Sequence, residues 1–153
     1  MLANEIVTSV AERYKLTIIL FDNRGYKSIG GLSRSLGQKG FGTRYAYAKG
    51  TGVTSDVDGT DVDDLPVDLA MNVRSLGAHV IECDGRDEFV TALETAKFID
   101  KTVCIYIRND RYLGVPGYES WWDVPPAEVS EMDTVQAARE EWEEMRTRER
   151  YFL

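Results

Sequence analysis

Sulfur, imidazole and long apolar runs are scarce in this 153-residue chain, and each scarcity removes a class of function. The two cysteines, Cys83 and Cys104, stand far apart. A disulfide framework is therefore excluded and a cysteine-based zinc site disfavoured, because both need several thiols at defined spacings. The one histidine, His79, has no serine or cysteine nucleophile near it in a recognisable motif, and it reads as structural. No uncharged stretch reaches the ~18–20 residues of a membrane span. The opening Met1-Leu2-Ala3-Asn4-Glu5 lacks the charged and apolar regions of a secretory signal. No membrane partner is expected, and a cytoplasmic location is. Cations are outnumbered, 18 against 26 acidic groups, for a formal net charge of −8. The basic footprint of a general nucleic-acid binder is thus missing, and no nucleic-acid partner is expected.

What is present belongs to a globular chain. At 43% hydrophobic and 29% charged residues it is too apolar for disorder. Its length suits one domain, which typically takes ~100–150 residues. The charge is unevenly spread. Residues 1–50 hold eight Lys/Arg and three Asp/Glu, giving +5, while residues 51–153 hold ten and 23, giving −13. Between Arg24 and Lys49 lie six cations (Arg24, Lys27, Arg34, Lys39, Arg44 and Lys49) and no acidic residue. An anionic ligand suits that stretch, and so does a solvated basic loop.

Apolar periodicity predicts the elements. Leu2, Ile6, Val10 and Tyr14 form one stripe of a helix. Leu16-Thr-Ile-Ile-Leu-Phe21 is short, β-branched and apolar on both faces, the pattern of a strand buried in a parallel sheet. It stops at the turn-forming Asp22-Asn23-Arg24-Gly25. A long glycine-rich region follows, with a short helix expected over 29–36 and a mobile acidic end over 56–64. Leu65, Leu69, Val73 and Leu76 return to helical spacing, closed by Gly77 as a C-cap. A strand over 78–82, a helix over about 86–98 capped by Asp84, and a buried strand over 102–107 complete the pattern. This alternation predicts an α/β fold, a parallel sheet with helices on both faces. Residues 1–112 read as the α/β domain. Residues 113–153, with Pro116, Trp121, Trp122, Pro125, Pro126 and a last helix over about 133–148, read as an aromatic, proline-rich segment packing on it.

In open parallel sheets ligands bind beyond the carboxyl ends of the strands. The first strand ends at Asp22-Asn23-Arg24-Gly25-Tyr26, directly before the basic glycine-rich loop. An Asn amide oxygen and a backbone carbonyl are hard donors suited to Mg2+, which favours phosphate-bearing ligands. Glycines allow close approach of backbone N–H groups to a phosphate. An ordinary strand-to-loop turn accounts for the same residues. Other candidates are weaker. Cys83 and Cys104 suit small buried hydrophobes. Glu140, Glu141, Glu143 and Glu144 suit a solvated helix face. Trp121 and Trp122 suit a pocket cover, an interface or core packing alike. Arg108 and Arg111 follow a strand end within reach of the same edge and are not assigned to the site.

The segment Leu20-Phe-Asp-Asn-Arg-Gly-Tyr26 resembles the second half of the thiamine diphosphate motif. That motif opens with Gly-Asp-Gly and closes, after a helix and an apolar strand, in Asn-Asn or Asp-Asn. The resemblance implies thiamine diphosphate and Mg2+ as cofactors. It implies Asn23, through its side-chain oxygen, and Gly25, through its carbonyl, as metal ligands. Tyr26 would then lie against the diphosphate, and Ser28, Ile29 and Gly30 would line the cavity. Asn23-Arg-Gly-Tyr-Lys-Ser-Ile-Gly-Gly-Leu32 and Gly40-Phe-Gly-Thr-Arg44 are similar to the trihydroxycyclohexane-dione hydrolases of inositol breakdown. So are Leu65-Pro-Val-Asp-Leu-Ala70 and Tyr118-Glu-Ser-Trp-Trp-Asp-Val-Pro-Pro-Ala-Glu-Val-Ser130.

The implied reaction is attack by the cofactor's thiazolium carbon on a carbonyl of a cyclic dione, C–C cleavage, and hydrolytic ring opening. The cofactor supplies the difficult chemistry and the protein positions it. A homo-oligomer, dimer or tetramer, is implied for the complete enzyme. The alternatives are an acetolactate synthase-like carboligase or decarboxylase, which lacks the Trp-Trp-Asp-Val-Pro tail, and a non-catalytic binding module. The Gly-Asp-Gly half and the Glu that activates the aminopyrimidine are not in this sequence. The chain is therefore expected to be a C-terminal part of the cofactor domain, inactive by itself, its sheet truncated at the N-terminal end with an unpaired edge.

Overall fold

A computed structural model describes residues 3–40, 42–47, 64–115 and 121–150. Phe41, Lys49, Pro116, Tyr118, Glu119, Ser120 and the acidic stretch before Asp64 lie outside the described residues. The elements in chain order are α1 (Glu5–Ala11), β1 (Thr17–Asp22), α2 (Lys27–Ser35), α3 (Leu69–Ser75), β2 (His79–Cys83), α4 (Arg86–Lys97), β3 (Val103–Arg108) and α5 (Asp133–Arg146). They group into two units, Met1–Asn23 with Pro66–Asp110, and Arg24–Leu65 with Arg111–Leu153.

The first unit is a three-stranded, all-parallel sheet in the order β1-β3-β2. Period-two alternation in β3 sorts its side chains between two cores. Val103, Ile105 and Ile107 join Cys83 and Ala92 and Ala96 of α4 on one face. Cys104 joins Ile6 of α1 and Val73 and Ala78 on the other. Helices therefore cover both faces, as the alternation predicts. Val103, Cys104 and Ile105 are sealed completely.

The strand expected to be buried on both faces behaves differently. β1 stands at the edge of the described sheet, and α4 packs over β2 and β3. Ile18 and Leu20 reach the α1/α3 core. On the α4 side Ile19 and Phe21 stay 44% and 59% exposed, with Phe21 meeting only the margin of α4 at Phe89. An apolar run reports burial potential, and which strand is central depends on pairing that the run does not encode.

Two local expectations also shift. The first helix is shorter than its stripe, because Arg13 adopts a left-handed φ of 58°. Asp84 does not cap α4. Gly85 occupies the N-cap position, and Glu88 reaches back to accept from the Asp84 N–H at 2.9 Å. By contrast Asp68 caps α3 with its own carboxylate, accepting from the Met71 N–H at 2.7 Å. Gly77 closes α3 as expected, its N–H donating to the Arg74 carbonyl.

In the second unit α2 occupies Lys27–Ser35, starting two residues before the expected short helix. It ends where Gly37 passes the start of α5. A Cβ on Gly37 would lie 2.2 Å from the Thr134 carbonyl oxygen, so this crossing admits glycine alone. The Thr134 hydroxyl donates to the Gly37 carbonyl at 2.7 Å. Trp121 and Trp122 line a cavity of about 510 Å³ with Leu32, Leu36 and Trp142. No helix among the described residues is long and apolar enough to cross a membrane.

Candidate functional site

β1 and β3 pair in register to their last residues, Asp22 opposite Arg108. Their carboxyl ends are tied twice more. The Tyr106 hydroxyl donates to Asp22 Oδ2 at 2.6 Å, and the Asn109 N–H donates to the Asp22 carbonyl at 3.0 Å. Asp22 is only 2% exposed, so its carboxylate is placed by this bond rather than by solvent. Burial, and then donation to Asp22, hold the Tyr106 phenol above its ordinary pKa and keep it a donor.

Two asparagines follow at this edge. Asn23 is half-buried with its Oδ1 fully enclosed. Asn109 Oδ1 is also enclosed and has no hydrogen-bond partner among the described residues. An enclosed acceptor without a donor is costly, and a cation is one way to satisfy it. No group of three or more His, Cys, Asp or Glu able to hold a metal occurs among the described residues. The oxygens present are amide and carbonyl donors, the hard chemistry that Mg2+ accepts when phosphates and waters complete its octahedron.

The second unit opens with the turn at Arg24 and Gly25. Arg24 is left-handed at φ 60°, and Gly25 takes φ 152°. A Cβ on Gly25 would fall 2.2 Å from the Thr43 carbonyl oxygen and 2.8 Å from the Arg44 Cα. Only glycine lets the two segments bridge here. The Tyr26 N–H donates to the Thr43 carbonyl at 2.7 Å, and the Tyr45 N–H to the Arg24 carbonyl at 2.9 Å. Tyr26 is half exposed, its ring edge-on to Tyr45 with centroids 5.7 Å apart. Ser28 and Ile29 are exposed in the first turn of α2, and Gly30 is buried, donating to the Tyr26 carbonyl. Tyr26, Ser28, Ile29 and Gly30 therefore occupy one helix start, where the Tyr26 and Gly30 N–H groups are already engaged and those of Ser28 and Ile29 lie in the first turn, a place that favours anions.

The cations of the basic stretch are partly engaged within the chain. Arg24 donates to the Leu65 carbonyl at 2.8 Å, Lys27 to the Leu113 carbonyl, and Arg44 pairs with Asp64 at 3.0 Å. The excess of positive charge thus holds the loop together as well as colouring it. Sequence reasoning placed Arg111 near this edge but left it unassigned and gave no sign of its partners. Arg111 is 6% exposed, and its guanidinium donates to the carbonyls of Arg24 and Thr43. Both partners are backbone atoms far away in the chain, which leave no trace in a residue pattern. His79 is exposed at the start of β2, and Cys83 and Cys104 are buried free thiols, as read from the sequence. Burial pushes both thiols up in pKa, with Glu88 and Asp84 adding to the effect on Cys83.

Residues 1–107 match the family described as thiamine pyrophosphate enzyme, C-terminal TPP binding domain. The chain belongs to this family. Thiamine diphosphate is accordingly its cofactor, and the sheet is that of a cofactor-binding domain. Over 140 residues, 92% of its length, the chain is 35% identical to the 3D-(3,5/4)-trihydroxycyclohexane-1,2-dione hydrolases of Bacillus thuringiensis (strain Al Hakam) and Bacillus cereus (strain 03BB102). It is 34% identical to that of Bacillus anthracis (strain A0248) over the same span. The match takes up 21% of each relative, so the chain spans about a fifth of the length of the curated proteins it resembles.

Proposed function

We propose that this chain is the thiamine-diphosphate- and Mg2+-binding part of a hydrolase that opens a cyclic 1,2-dione by C–C cleavage. One observation carries the substrate class. The family match ends at residue 107, whereas the likeness to the dione hydrolases covers 140 of 153 residues, so at least 33 residues of the tail take part. A likeness confined to cofactor binding would have stopped with the family match. This also supports a functional division near 112/113, with 1–112 serving the cofactor and 113–153 the particular enzyme.

In this reading Asn23 gives its side-chain oxygen and Gly25 its carbonyl to Mg2+. Tyr26 flanks the diphosphate, and Ser28, Ile29 and Gly30 line the cavity beside it. The cofactor, once bound, supplies a nucleophilic carbon and a sink for the electron pair of the broken C–C bond. The work of these residues is to fix the diphosphate end so that the reactive ring is held still, which is where the rate gain of positioning arises. The small-molecule substrate is a polyhydroxylated cyclic dione. The cytoplasm is the proposed location, in keeping with two free buried thiols, and a dimer or tetramer the proposed assembly.

Incubating the full-length protein with the cyclic dione, thiamine diphosphate and Mg2+ tests the reading. Consumption of the dione with release of an open-chain acid is expected. Acetolactate formation from pyruvate, with the dione untouched, would assign the chain to the carboligases instead.

A further inference from the structure

We infer that Arg111 is a positioning residue for the metal turn, its guanidinium fork fixing the direction in which the Gly25 carbonyl points. The inference rests on the proposed role of that carbonyl as a Mg2+ ligand. Nη1 of Arg111 donates to the Arg24 carbonyl and Nη2 to the Thr43 carbonyl, each at 3.1 Å. These two oxygens control the two peptide planes on either side of Gly25. The Arg24 carbonyl belongs to the plane before it. The Thr43 carbonyl receives the Tyr26 N–H at 2.7 Å, and that N–H shares a plane with the Gly25 carbonyl. A trans peptide sets its N–H and C=O in opposite directions. With the N–H aimed at Thr43, the Gly25 carbonyl is aimed away from Thr43.

In this inference Arg111 acts on the ligand through the two carbonyls it holds. The absent Cβ of Gly25 would lie 3.1 Å from Arg111 Nη1, so the fork sits in close contact with the turn. A guanidinium suits this task because its donors are rigidly spaced, whereas an ammonium carries the same charge without the fork. The sequence separations, 87 residues to Arg24 and 68 to Thr43, make the clamp a long-range tie.

The test is a Mg2+ titration of thiamine diphosphate binding to the full-length protein, read by equilibrium dialysis, for wild type, Arg111→Lys and Asn23→Ala. Metal-free melting midpoints are measured in parallel. Partners that orient a metal ligand typically contribute about 10–100-fold in metal affinity. Arg111→Lys is expected to raise the Mg2+ half-saturation point by about 10-fold or more on that scale. The half-saturation point is read well below the melting midpoint of each variant, where the loss of these bonds lowers stability without unfolding the protein. A merely structural role would leave the half-saturation point there unchanged. An unchanged half-saturation point in Arg111→Lys, with Asn23→Ala impaired, overturns the role of Arg111 alone. Binding by wild type that ignores Mg2+ overturns the metal-turn reading and this inference with it.

Discussion

The two units of the chain are held together by different physics. In the first, burial decides. β3 carries three fully sealed side chains, and its alternating faces feed two separate apolar cores. In the second, point interactions decide. Gly25 and Gly37 admit backbone at distances no Cβ would tolerate, and Arg111 clamps two carbonyls. The difference teaches where tolerance lies. A distributed core loses stability when cut but keeps its geometry, whereas a turn built on two or three contacts loses geometry first.

Substitutions can break or sharpen this contrast. The largest stability loss is expected from Ile105→Ala, in the fully buried centre of β3, at about 2–5 kcal/mol. Urea denaturation measures it. The Mg2+ dependence of cofactor binding should stay unchanged at temperatures where the variant is folded. Tyr106→Phe comes next, since it removes the donor to the buried Asp22 carboxylate, and about 1.5–3 kcal/mol is expected by the same method. Gly25→Ala should cost more than about 1 kcal/mol, because neither the positive φ nor the Thr43 carbonyl leaves room for it. Its chief effect is predicted on thiamine diphosphate binding, which calorimetry would show as abolished. Retained binding in that variant would erase the distinction between the units. The smallest effect belongs to His79→Gln, at an exposed strand start, within about 0.5 kcal/mol and without change in binding.

The same contrast explains what could be read in advance. The run at 102–107 announces β3, and the stripe through Phe89, Leu93 and Ala96 announces α4, because apolar periodicity is the direct image of burial. The exposed face of β1 was not legible, since Ile19 and Phe21 look like core residues until strand order is known. The metal-binding role of Asn23 and Gly25 is a proposal, and the two were legible as candidates through their motif. Arg111, Tyr106 and Asn109 were not, because their partners lie dozens of residues away and are joined only when β3 pairs with β1 or when the turn closes. The net charge of −8 averages over a basic stretch in which Arg24 and Arg44 are engaged within the chain.

The central claim is that Asn23 and Gly25, two residues apart in the chain, hold the Mg2+ of a thiamine diphosphate site. A crystal structure of the full-length protein with Mg2+ and thiamine diphosphate tests it most directly. The account predicts a metal about 2.0–2.1 Å from Asn23 Oδ1 and from the Gly25 carbonyl oxygen, with diphosphate oxygens among its other ligands. A metal bound to the diphosphate but to neither of these oxygens would contradict it.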